Sequence, residues 1–270
     1  MITLNMTDDN YVLWYGLNGY GITCFYLGIN ILIFVVAIVA VLLNGIIIYI
    51  LFGRDFREDV SCIFISHLAL SDFLSAVLLF YNVIYNLIHF KHFYECAIRF
   101  GLVNGVFLNS SVILLSLTAE RYAKILLPFK YASLITPEKA KYFMISSWVV
   151  CLVICQAPLF GWNQDTSEEY CRYFGVFTKN FLLIYCAIMY MMSFLVFLMY
   201  CHILCIAFKQ NNKIRRADHR QINKRHTHIW WKPTKTAMII VGINVVSWLP
   251  SGSNNIHSCK SSDMFIRNAF

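Results

Sequence analysis

The chain has 270 residues, a mean hydropathy of +0.61 and only 13% charged residues. Soluble domains carry about 25% charged residues, so this composition excludes an ordinary water-soluble globular domain. The net charge of +8 needs no nucleic acid to account for it, because the anionic inner leaflet of a membrane and a cytoplasmic partner suffice.

Residues 1–21 contain no Lys or Arg, and Asn5-Met6-Thr7 is a glycosylation sequon. From Ile22 to Gly53 there is no charged residue at all, and the same holds for Tyr142 to Phe160 and Phe181 to Phe208. A helix needs about 20 residues to cross the hydrocarbon core, and only helices or closed barrels satisfy their backbone there. Barrel strands alternate polar and apolar residues, and these runs do not. The sequence therefore predicts an all-α polytopic transmembrane bundle with spans near 22–52, 61–88, 97–126, 140–161, 178–207 and 231–253. The first run is far too long for a cleavable signal and reads as a signal anchor. The sixth is the weakest, apolar only from Thr236 to Pro250. It borrows Trp230 and Trp231 as interfacial residues, with Lys232 and Lys235 snorkelling outward. The tail, 254–270, is too polar to span and is expected outside the membrane.

Orientation follows from charge. The segments near 50–60, 121–141 and 206–235 hold 2, 5 and 9 of the 22 Lys and Arg residues, which places them in the cytoplasm and the N-terminus outside. The basic run 209–228 suits either a plain cytoplasmic loop or a partner-binding extension of spans five and six. No cysteine or carboxylate cluster accompanies its His219, His226 and His228, which read as solvated histidines, not a metal site. The chain shows no dinucleotide-binding glycine pattern, phosphate-binding loop or zinc-protease motif, so no enzyme is predicted. Most of the ten cysteines lie inside spans and read as small buried apolar residues. Cys96, Cys171 and Cys259 fall on the oxidising outer side, where any two of them can pair.

Several polar residues stand alone in apolar helices: Asn44, Asp72, Ser110, Trp148 and Tyr200. A carboxylate at Asp72 cannot face lipid cheaply and should face the bundle interior, with Asn44 and Ser110 as neighbours. That cluster reads equally as hydrogen-bonded glue between helices or as a small-cation site. Pro250 kinks the sixth helix beside Trp248. Glu120-Arg121-Tyr122 ends the uncharged stretch 101–119. Taken alone it is a charged helix stop.

The landmarks run in a fixed order: Asn44, Leu68-Ala69-Leu70-Ser71-Asp72, Cys96, Glu120-Arg121-Tyr122, Pro128, Trp148, Pro158, Cys171, Tyr200 and Ser247-Trp248-Leu249-Pro250. Arg121 stands 25 residues after Cys96. In this order and spacing they resemble the rhodopsin-like, or class A, family of G-protein-coupled receptors across residues 44–250. The resemblance implies a receptor of seven-helix ancestry, here with six spans, in the plasma membrane. It would bind an extracellular small ligand and signal through a heterotrimeric G protein by outward movement of helix six. It further implies that Arg121 engages the G protein, that Glu120 restrains Arg121 at rest, that Tyr200 holds the active state and that Phe129 docks on the partner, with Tyr122 completing the coupling set. Asp72 and Ser110 match the family's sodium positions, a structural ion being the sole cofactor implied. Val103, Asn104, Phe107, Phe174 and Trp248 match its ligand pocket, and Cys96 with Cys171 its external disulfide.

A finer resemblance links Pro128-Phe129-Lys130-Tyr131, Thr136-Pro137 and Pro158-Leu159-Phe160-Gly161-Trp162-Asn163 to the adenosine receptor group, and so to a nucleoside ligand. Val103 stands where amine receptors carry an aspartate, which argues against a biogenic amine. Departures from the family pattern are Leu43, His67, Ser111, Met192, Trp230 and Asn244. No seventh apolar span follows Pro250. The alternative is therefore a truncated, non-signalling chain that partners full-length receptors, including as a dimer. A six-helix transporter is disfavoured, since no inverted repeats or broken helices are seen.

Overall fold

The computed structural model describes residues 12–15, 21–52, 59–88, 92–163 and 173–217. The expected sixth span and the tail lie outside these residues. So do Asn5, Cys171 and Trp248, and the side chain of Phe174.

The chain opens with a short antiparallel pair that the sequence reading did not anticipate. Strand β1, Val12–Tyr15, pairs with β2, Gly21–Thr23, through Trp14 opposite Ile22 and Tyr15 opposite Gly21. The run Val12-Leu13-Trp14-Tyr15 is rich in residues that suit a pleated surface.

Helix α1, Cys24–Phe52, follows directly. It is apolar all round rather than striped, as a helix facing lipid should be. Asp59 starts α2, Val60–Ile88, by accepting a hydrogen bond from the Ser61 amide at 3.3 Å. Helix α3, Phe93–Leu126, carries Glu95 in its first turn and Lys124 in its last, each suited to the helix dipole. It stops at the residue pair Leu127-Pro128, because a residue before proline disfavours helical dihedrals. Pro128 then opens the short α4, Pro128–Leu134, which buries no residue. Thr136 caps α5, Pro137–Cys155, by accepting from the Lys139 amide. A 3₁₀ turn, Ala157–Phe160, ends at Gly161, whose φ of +91° is left-handed and favours glycine. Asn163 bridges to Phe177, just past the single turn α6, Tyr173–Val176.

Helix α7, Lys179–Ala217, is the longest at 39 residues, or about 58 Å at 1.5 Å per residue. It runs ten residues beyond the expected end of span five at 207 and takes up the first half of the basic segment. A hydrocarbon core of about 30 Å accounts for only half of that length.

Four of these helices, α1, α2, α3 and α7, are long and apolar enough to cross a membrane. Helix α5 begins with Glu138, Lys139 and Lys141, so its apolar stretch starts only at Tyr142. Together they form a helical transmembrane bundle.

The chain divides into two compact units. The first takes the chain up to Leu114 together with residues 132–182. In it α1 packs along α2, with the Phe34 and Phe80 rings 4.3 Å apart. Gly101 and Gly105, four residues apart on α3, admit α5 at backbone distance. A Cβ on Gly101 falls 2.8 Å from the Cys155 carbonyl oxygen, and one on Gly105 falls 3.2 Å from that of Cys151. Small residues at this spacing let two membrane helices approach closely, where lipid supplies no hydrophobic drive. The second unit takes residues 115–131 and the chain from Leu183 on. Its core is Val196, Tyr200 and Ile203, with Leu115 and Tyr122 packed against them.

Candidate functional site

The last turns of α3 and the following α4 place three side chains around one carboxylate. Glu120 is 1% exposed. Its Oε1 accepts from Lys124 Nζ at 2.6 Å and from the Tyr131 hydroxyl at 2.6 Å. The Lys124 ammonium also lies 5.1 Å from the centre of the Tyr131 ring. Residues four apart stack on one helix face, and Glu before Lys is the favourable order. Burial pushes the Tyr131 phenol up to about 12, and the bond to the Glu120 carboxylate and its charge add to the rise.

The restraint expected between Glu120 and Arg121 is not what is found. Glu120 binds Lys124 and Tyr131, and no described residue pairs with half-buried Arg121. Helix geometry explains this. Successive side chains point about 100° apart on a helix, so Arg121 must fold back to reach Glu120, whereas Lys124 stands directly over it.

Tyr122 turns the other way. Its hydroxyl meets His202 Nδ1 of α7 at 2.8 Å, with the rings 5.6 Å apart. It also packs on the cluster holding Tyr200, which is buried at 6% exposure. Phe129, on α4, is fully exposed at 101%. The structure thus brings Tyr122 and Tyr200 into one cluster, gathers Glu120 with two partners the sequence reading missed, and leaves Arg121 and Phe129 without a partner among the described residues. The four-residue spacing of Glu120 and Lys124 was the readable signal for one of those partners.

In the first unit, Ser110 of α3 donates to Asp72 of α2 at 2.9 Å, as expected. Asn44 does not join them. Its amide donates to the Ala40 carbonyl of its own helix at 3.0 Å. Ser71 donates to the Val106 carbonyl at 3.1 Å, and Ser147 of α5 to Asn109 at 2.9 Å. These bonds tie α2, α3 and α5 through polar groups that have no water to turn to. Asp72 and Ser110 present carboxylate and hydroxyl oxygens, the donor type a hard monovalent cation takes. Among the described residues no group of three or more His, Cys, Asp or Glu side chains could hold a metal.

Near the start of α3, Cys96 is fully buried and disulfide-bonded. Its expected partner, Cys171, lies outside the described residues. Beside it the structure holds a buried arginine. Arg99 is 2% exposed, pairs with Glu95 at 2.9 Å, donates to Asn82 of α2, and lies 4.7 Å from the Phe100 ring centre. The spacing of Glu95 and Arg99 along one helix face was visible in the sequence, but nothing there marked the pair as buried. One turn further on, Val103 and Phe107 are half-buried and Asn104 is buried. The other expected pocket groups, Phe174 and Trp248, are not described.

The model of the 7 transmembrane receptor (rhodopsin family) matches residues 43–268. Relatives include the adenosine receptor A2b of Canis lupus familiaris, 27% identical over 58% of this chain and 52% of that one. The Gq-coupled rhodopsin of Mizuhopecten yessoensis is 25% identical over 82% of this chain and 48% of its own length. Cannabinoid receptor 1 of Xenopus laevis is 26% identical over 76% and 47% respectively. The chain spans about half the length of the curated relatives it matches. With its apolar helices and its landmark residues in order, this chain belongs to the rhodopsin family of seven-transmembrane receptors.

Proposed function

We propose that this chain is a G-protein-coupled receptor of the plasma membrane that binds an extracellular small molecule and promotes nucleotide exchange on a heterotrimeric G protein. The observation that carries the reading is the pairing of an uncommitted Arg121 at the end of α3 with a fully exposed Phe129 on α4. A cationic fork and an apolar ring, both free of internal partners among the described residues, offer a docking partner a carbonyl-binding group and an anchor. Ligand binding shifts the population toward a state with helix six swung outward. In this reading Tyr200, buried beside Tyr122, holds that state.

The ligand reading is a nucleoside. It rests on the segment 128–137, the segment 158–163 and the adenosine receptor among the relatives. Val103, Asn104, Phe107, Phe174 and Trp248 form the proposed pocket, lined without a carboxylate on α3 that could pair an ammonium. Cys96 with Cys171 closes the outer loop, Asn5 carries glycan, and Asp72 with Ser110 holds sodium, which would neutralise the carboxylate inside the bundle. Membrane lipid surrounds the exposed apolar faces.

Retention of nucleotide-free G protein by the immobilised full chain tests the proposal. Wild type should hold the heterotrimer until guanine nucleotide is added, and Arg121→Ala should not. A wild-type chain that never retains it supports the other reading, a non-signalling partner of full-length receptors, which receptor co-precipitation would then detect.

A further inference from the structure

Glu120 is the most completely buried carboxylate at this end of α3, and the group that neutralises it is not the arginine beside it. Its Oε1 is held at 2.6 Å by Lys124 and at 2.6 Å by the Tyr131 hydroxyl. A carboxylate at 1% exposure must be paired, because an uncompensated buried charge is strongly unfavourable. Lys124 is 39% exposed, so its ammonium reaches the buried Glu120 from the solvent side. The bond from Tyr131 falls on the same oxygen and ties α4 to α3. The Lys124 ammonium over the Tyr131 ring makes the three groups one cluster. Arg121 is left with no partner among the described residues.

We propose that Lys124 and Tyr131 are positioning residues that hold Glu120 away from Arg121, so that in this chain the arginine stands released before any ligand binds. This rests on the reading of Arg121 as the G-protein contact, and it deepens that reading by assigning the resting state of the switch. The restraint by Glu120 that the family resemblance implies is replaced by capture of the same carboxylate one helical turn on. A chain so arranged has high basal coupling. Whatever weakens the grip of Lys124, by loss of its charge or by competition from another anion, returns Glu120 to Arg121 and lowers that coupling.

The test reads Arg121 directly. Purified full chain in lipid nanodiscs is treated with phenylglyoxal, which modifies accessible arginines, and Arg121 is followed by peptide mass spectrometry. Lys124→Gln should slow modification of Arg121 by about fivefold, the equivalent of one exposed ion pair transferred to it. Lys124→Arg should leave the rate at the wild-type value. The double variant Lys124→Gln with Glu120→Gln should restore it, since no carboxylate then remains to cover the guanidinium. Equal rates in wild type and Lys124→Gln overturn the proposal. A parallel assay of basal nucleotide exchange separates the two layers. Lower exchange in Lys124→Gln than in wild type supports the resting state described here. A wild type with no exchange at all sinks the coupling reading, and the modification rates still decide whether Lys124 holds Glu120.

Discussion

The indole Nε1 of Trp148 donates to Nδ1 of His67 at 3.3 Å, joining α5 to α2. An indole nitrogen only donates, so His67 must present an unprotonated Nδ1 and carry its proton on Nε2. His67→Asn keeps an acceptor there and should leave stability unchanged within about 0.5 kcal/mol. His67→Leu removes it and should cost about 1 kcal/mol. Thermal unfolding in detergent, followed by tryptophan fluorescence, checks both.

The contact of α3 with α5 rests on absent side chains. Gly101→Ala places a methyl 2.8 Å from the Cys155 carbonyl oxygen, and backbone cannot yield as a side chain does. The variant should lose about 1–3 kcal/mol. Gly28→Ala meets nothing within 4 Å and should be neutral, which makes it the control for a helical glycine replaced without a clash.

The pair Arg99–Glu95 predicts a non-additive result. Glu95→Ala alone takes the carboxylate from a guanidinium at 2% exposure and should cost about 3–5 kcal/mol. Removing both charges with Glu95→Ala and Arg99→Met should cost less than that single change. A double-mutant cycle on thermal stability measures the difference.

Tyr131 links α4 to α3 in a pH-dependent way. Its phenol is raised to about 12, above the roughly 10 of a free tyrosine. The folded state therefore favours the protonated form. That contribution is fully present below about pH 10 and is lost as pH rises through 12. Tyr131→Phe should be about 1 kcal/mol less stable than wild type from neutral pH up to about pH 10. The gap between the two proteins should close toward pH 12, as measured by thermal unfolding across the series.

Much of this molecule was legible before any coordinates. Long apolar runs pointed to α1, α2, α3 and α7, because a membrane leaves few other ways to satisfy the backbone. The bond from Ser110 to Asp72 followed from the cost of a lone carboxylate in an apolar span. What escaped the sequence was the choice among neighbours. Asn44 turned to its own helix at Ala40, since a local carbonyl one turn back needs no tertiary fit. Glu120 chose Lys124 and Tyr131 over Arg121, because the direction of a side chain on a helix depends on spacing by four, not adjacency. The hairpin of β1 and β2 was missed because two short β-prone runs carry little signal beside spans of thirty residues. The length of α7 beyond position 207 was hidden by its basic residues, which form helix as readily as loop.

Guanine-nucleotide exchange on purified heterotrimer, driven by membranes that contain only this chain, tests the central claim most directly. The account predicts measurable exchange by the wild type, a fall of about tenfold or more in Arg121→Ala, and a smaller fall in Phe129→Ala without loss of folded protein, since α4 buries no residue. Equal exchange in membranes with and without the chain, or wild-type exchange in Arg121→Ala, would contradict it.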